Sequence, residues 1–125
     1  MKQSFHKHER LKSKKQIEFL FKNGKHITAT PIKVIYFITE KNSIHTTNKA
    51  MFVVPKKLFK HANDRNKLKR RMKEAYRLNK HELIVRFDSK NEVVLLSFIY
   101  IQKTLEKYDQ VCLGVTKIVS KLLLI

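Results

Sequence analysis

Asp64-Arg65-Asn66-Lys67-Leu68-Lys69-Arg70-Arg71-Met72-Lys73-Glu74-Ala75-Tyr76-Arg77 reads as a helix. It contains no Gly or Pro, and Leu68, Met72, Ala75 and Tyr76 recur at i, i+4, i+7 and i+8. At about 100° per residue these four form one stripe, while Arg65, Asn66, Lys69, Arg70, Lys73 and Arg77 fall on a separate arc roughly 140° wide. One face can therefore bury in a core while another carries five cations and an amide. Surface helices gain from interleaved acids and bases, yet the only acids here are Asp64 at the start and Glu74. A charge run is ordinarily just a solvated face. Three features argue for more: the cations share one arc, Asn66 adds a group that both donates and accepts hydrogen bonds, and the whole chain leans the same way. Bound polyanion would offset the repulsion.

Outward from this stretch the pattern changes period. Upstream, residues 49–54 alternate as a strand, with Met51 and Val53 on one face and Phe52 and Val54 on the other. Pro55 ends it, Lys56, Lys57 and Lys60 lead on, and Asn63 or Asp64 is the expected N-cap. Residues 32–39 form another strand behind Pro31, with a short strand at 27–30 before it and a polar loop at 40–47 after it. Further back, Ser13 and Gln16 form a capping box for a helix that carries Ile17, Leu20 and Phe21 and stops at Gly24. Residues 1–12 read as a flexible basic arm. Downstream, the basic helix is expected to run to about Lys80. Val93-Val94-Leu95-Leu96-Ser97-Phe98-Ile99-Tyr100-Ile101 then marks a strand buried on both faces at a sheet centre. A last helix over 104–123 presents Val111, Val115, Ile118, Val119 and Leu122. The order αβββαβα predicts an α/β fold, a two-layer sandwich of helices on a mixed sheet, with residues 1–125 as one domain. The strand–helix–strand unit would ordinarily be right-handed.

Composition sets the class of partner. Twenty-eight Lys and Arg against ten Asp and Glu give a net charge of +18 in 125 residues. That is the electrostatic footprint of a nucleic-acid binder. A membrane surface is disfavoured because the cations are not confined to a tail and Trp is absent. No apolar run is long enough to span a bilayer and no signal peptide opens the sequence, so a cytoplasmic location is expected. A single cysteine, Cys112, excludes an internal disulfide and reads as a small buried hydrophobe. His6 and His8 lack a third ligand nearby, so no protein metal site is expected. The acids are scattered and the chain has two glycines, leaving no catalytic constellation and no phosphate loop. Any catalysis would be carried out by another molecule.

Val54-Pro55-Lys56-Lys57, followed by Ala62-x-Asp64-Arg65-Asn66-x-x-Lys69-Arg70-x-x-Lys73-Glu74-Ala75-Tyr76-Arg77, resembles the protein subunit of bacterial ribonuclease P. Arg10-Leu11-Lys12-Ser13 and Phe21-Lys22-x-Gly24 are similar to that family's opening motif. Pro55 and Arg77-Leu78-Asn79-Lys80 resemble its Bacteroidetes branch. The chain departs from the pattern at Phe59 and Asn63, and at Ile17, where the family often has an aromatic. The resemblance implies a left-handed strand–helix–strand crossover and two RNA partners. It implies that Lys56, Lys57, Lys60, Arg65, Asn66, Lys69, Arg70, Lys73 and Arg77 bind the catalytic ribonuclease P RNA. It implies that Arg10, Ile17, Phe21, Tyr36 and Phe52 meet the single-stranded 5′ leader of precursor tRNA. Cleavage would be done by the RNA with Mg2+ held mainly by that RNA. The residues taken alone leave a ribosomal-type structural RNA-binding protein as the alternative. A DNA-binding recognition helix fits poorly in so strand-rich a chain.

Overall fold

The computed structural model describes residues 5–125, so the first third of the expected arm, residues 1–4, lies outside them. A single 3-10 turn, Lys7–Glu9, leads to α1 (Lys14–Asn23), β1 (Lys25–Ala29), β2 (Ile32–Glu40), β3 (Lys49–Val53), α2 (Ala62–Ser89), β4 (Glu92–Tyr100) and α3 (Tyr108–Leu123). The sheet has four strands in the order β1-β2-β4-β3. β1 with β2 and β2 with β4 pair antiparallel, whereas β3 and β4, joined through α2, pair parallel. β4 is central because both its faces are apolar: every residue from Val93 to Phe98 is buried.

Alternation along the strands separates two cores. Val34, Ala50, Leu96 and Phe98 point to one face, where α2 and α3 cover them with Leu68, Met72, Tyr76, Leu83, Phe87, Val115 and Ile118. Ile35 and Leu95 point to the other, where Leu20 of α1 and Leu11 meet them. The second core is much the smaller, so one face of the sheet is only partly roofed.

α1 begins as expected: the Ser13 hydroxyl accepts the Gln16 N–H at 3.4 Å. Its end differs in cause. Gly24 has φ −74°, so no left-handed turn requires a glycine there. Close approach does, since a Cβ would lie 2.6 Å from Ile35 Cγ2 and 2.6 Å from the Leu20 carbonyl oxygen. Gly24→Ala should therefore destabilise by about 1–3 kcal/mol through overpacking, read as a lower denaturation midpoint with unchanged far-UV circular dichroism.

Two expectations need correction. α2 does not stop near Lys80 but continues for 28 residues to Ser89. The stripe runs on through Lys80, Leu83 and Phe87, all buried. It starts after His61 with no side-chain cap, rather than at Asn63 or Asp64. Burying Leu68, Met72, Tyr76, Leu83 and Phe87 contributes about 1.5–3 kcal/mol each. Like-charge repulsion along the outer face costs only a few tenths of a kcal/mol per pair, so packing wins.

The second correction concerns the arm. Residues 5–12 are docked, not loose. Leu11 donates its N–H to the Ala50 carbonyl at 2.9 Å, and Arg10 bridges Ala50 in parallel on the edge of β3. The Glu9 carboxylate accepts from Lys80 Nζ at 2.6 Å, both groups being buried. Phe5 packs edge-on against Phe52 and Tyr76 at centroid distances of 5.7 and 5.9 Å.

Candidate nucleic-acid interface

α2 places the cationic arc on its outer face because Leu68, Met72 and Tyr76 hold the inner face in the core. Asn66, Lys69, Arg70 and Lys73 line one shallow groove with Asn63 and Lys67, about 710 Å3 in volume. No acid lines it. Lys69, Arg70 and Lys73 have no ion-pair partner among the described residues. Arg77 is different: it pairs with Glu74 at 2.5 Å. The hydrogen bond from Arg77 holds the Glu74 carboxyl below the ordinary carboxylate range. Lys56, Lys57 and Lys60 are exposed on the loop that enters α2.

A second cavity, about 210 Å3, opens where the edge of β3 meets α2. Arg10, Lys12, Lys69 and Lys73 stand around it, and Phe5, Leu11, Ala50, Met51 and Phe52 supply apolar walls. Lys69 and Lys73 belong to both concavities. Among the described residues, no group of three His, Cys, Asp or Glu is placed to hold a metal ion. A face of unneutralised lysine and arginine repels a divalent cation.

The ribonuclease P family model matches residues 5–112. The chain belongs to the ribonuclease P protein family. A Porphyromonas gingivalis ribonuclease P protein component is 38% identical over 77 residues, 62% of this chain and 56% of that protein. The relative from Chlorobium phaeobacteroides is 37% identical over 87 residues, covering 68% and 60%. The chain thus spans less than two thirds of the length of these curated relatives. Two solved structures share the fold. The Staphylococcus aureus RNase P protein superposes with TM-score 0.69 at 20% identity, covering 91% of this chain and 94% of that one. The Thermotoga maritima RNase P protein gives 0.70 at 21%, covering 90% and 96%. Three helices on a four-stranded mixed sheet are thus the ribonuclease P protein fold.

Against this family frame the Arg-Asn pair divides its labour. Arg65 Nη1 donates to the carbonyls of Phe59 and Lys60, each at 2.8 Å, so it ties down the Lys-bearing loop. Asn66 is exposed and faces the groove. Arg65→Met should lower stability by about 1–2 kcal/mol, as two carbonyls lose a charged donor. Arg65→Lys should recover only part of this, because a single ammonium lacks the planar fork. Urea denaturation of the three proteins checks both.

The leader set is not one surface. Ile17 packs on the small core under α1, and Phe21 is exposed on the same helix. Tyr36 and Phe52 lie on the opposite face of the sheet, half-buried against the main core. Phe52 stacks on Phe98 at 5.5 Å. Arg10 stands at the cavity beside Phe52. Sequence reasoning missed Phe5, Met51 and the Glu9–Lys80 pair. Lys80 gave one usable signal: it sits four residues after Tyr76 on an apolar stripe, where an ammonium needs a buried partner.

Proposed function

We propose that this protein is the protein subunit of a ribonuclease P ribonucleoprotein, working in the cytoplasm on the 5′ maturation of tRNA. The acid-free cationic groove on α2, rooted in the core by Leu68, Met72 and Tyr76, carries this reading. In it, Lys69, Arg70 and Lys73 neutralise phosphates of the ribonuclease P RNA, each adding to counterion release. Asn66 holds a sugar or base edge. Lys56, Lys57 and Lys60 extend the contact along the loop that Arg65 fixes, and Arg77 adds charge at the far end. Ile17 and Phe21 on α1 meet the unpaired 5′ leader of precursor tRNA, while Arg10, docked at the edge of β3, stands with the α2 cations. Tyr36 and Phe52 support the sheet from its other side.

The phosphodiester chemistry belongs to the RNA, which holds the Mg2+. The protein's part is electrostatic: its cations reduce repulsion between two polyanions and so lower the magnesium needed. Reconstitution tests this. The protein, a bacterial ribonuclease P RNA and a labelled precursor tRNA are combined across a magnesium titration. Leader release at the mature 5′ end should need the RNA and shift to lower magnesium with the protein. An unchanged magnesium optimum would remove the electrostatic role. Cleavage by protein alone would put an active site in this chain. Tight, salt-sensitive binding without stimulation would favour a ribosomal-type structural role.

A further inference from the structure

The cavity at the edge of β3 has a composition that phosphate binding alone does not explain. Four cations, Arg10, Lys12, Lys69 and Lys73, surround it, yet Met51 and Phe52 make its walls apolar. None of the four has an ion-pair partner among the described residues. At about 210 Å3 it is smaller than the roughly 300–1,000 Å3 of ordinary small-molecule sites. It has room for one ring system. It also shares Lys69 and Lys73 with the α2 groove, so a strand lying in that groove passes its mouth.

We propose that this cavity seats the base of a single unpaired nucleotide of the RNA that lies on α2, with the flanking phosphates on Arg10, Lys12, Lys69 and Lys73. A paired base cannot enter, since its edge and faces are occupied in the duplex; RNA readers take bases that are splayed out. Phe98 covers one face of Phe52 and Phe5 packs edge-on against the same ring, while Met51 turns to the small core on the other side of β3, so the base rests against the open rim of Phe52 and the aliphatic stems of Lys69 and Lys73. The site is read by shape and not by a hydrogen-bond code, so it should accept more than one base. This inference rests on α2 being the RNA-binding face.

The test fills the cavity without touching its charge. Full-length protein is titrated with octaadenylate and with an octamer of abasic ribose phosphates, and separately with ribonuclease P RNA. The wild-type protein should prefer the base-bearing octamer about tenfold, as a single base–side-chain contact gives. Ala50→Leu, an enlargement on the same face of β3 as Phe52, should abolish that preference and weaken ribonuclease P RNA binding by a similar factor, with the salt slope unchanged. Ala50→Val, a smaller filling, serves if the leucine variant does not fold. A filled cavity with the preference intact overturns the proposal. So does a filled cavity that weakens only leader-bearing precursor tRNA, because the nucleotide would then belong to the leader. Lys69→Gln with Lys73→Gln separates the two readings. If that pair leaves RNA affinity and salt slope untouched, the α2 reading fails and the cavity proposal with it. If the pair acts and the filling does not, only the cavity proposal fails.

Discussion

Replacing Lys69, Arg70 and Lys73 together by glutamine should weaken binding of ribonuclease P RNA roughly a thousandfold at moderate salt. A hydrogen bond from a charged group contributes about 1.5–3 kcal/mol, and 1.4 kcal/mol is tenfold in affinity. Each lost phosphate contact should also take about 0.7–0.9 from the slope of log K against log salt, so the triple variant should lose about 2 to 3. Folding should move the other way or not at all. Lys69 and Lys73 are four residues apart and Arg70 and Lys73 three, and these like-charge neighbours repel by a few tenths of a kcal/mol per pair. The triple variant should therefore melt at the same temperature as the parent or slightly above it. Affinity lost together with stability would mean that the cations serve the fold. Affinity lost with stability kept places them at an interface. Salt titration of binding by fluorescence anisotropy, beside a thermal melt, separates these outcomes.

The reach of the sequence depended on whether a pattern was one-sided. β4 was legible because nine nearly all apolar residues, short for a helix and rich in β-branched and aromatic types, mark a strand buried on both faces, and Glu92–Tyr100 lies inside the sheet. The outer face of α2 was legible for the converse reason: cations on one arc and apolar residues on another fix the helix's orientation. Tyr36 and Phe52 were not. In β2 and β3 both alternating sets are apolar, so the period tells that successive residues face opposite ways but not which face carries α1. The outcome placed Ile35 under α1 and Tyr36 on the other side. Lys80 hides the remainder of α2 from the sequence, because a charge interrupts the stripe at the point at which the helix buries it. Its partner, Glu9, lies seventy-one residues away in the chain. No local pattern joins the two, and the same contact makes a basic-looking arm into a docked segment.

That pair sets up the second large effect. Lys80→Met leaves the Glu9 carboxylate buried without its ammonium, and breaking a buried pair from one side costs about 3–5 kcal/mol. The molecule has a cheaper response than global unfolding. Residues 5–10 hold to the body through Phe5, the Glu9–Lys80 contact and the short bridge at Arg10. Releasing them returns the carboxylate to water and leaves the two cores intact. The penalty is therefore capped by the docking free energy of this segment, and it appears as local opening. The melting temperature should fall by only a few degrees. Trypsin cleavage after Lys7, by contrast, should accelerate on the order of a hundredfold, the factor for about 2.7 kcal/mol of lost protection. Glu9→Gln with Lys80→Met should restore most of the protection, since no uncompensated charge remains buried. Phe5, Arg10 and Lys12 leave or loosen with the segment while the α2 cations stay. Ribonuclease P RNA should then keep most of its salt slope and lose the base preference assigned to the β3-edge cavity. Unchanged trypsin sensitivity in Lys80→Met would mean that the pair is not what docks the segment, and that Phe5 and Leu11 hold it alone.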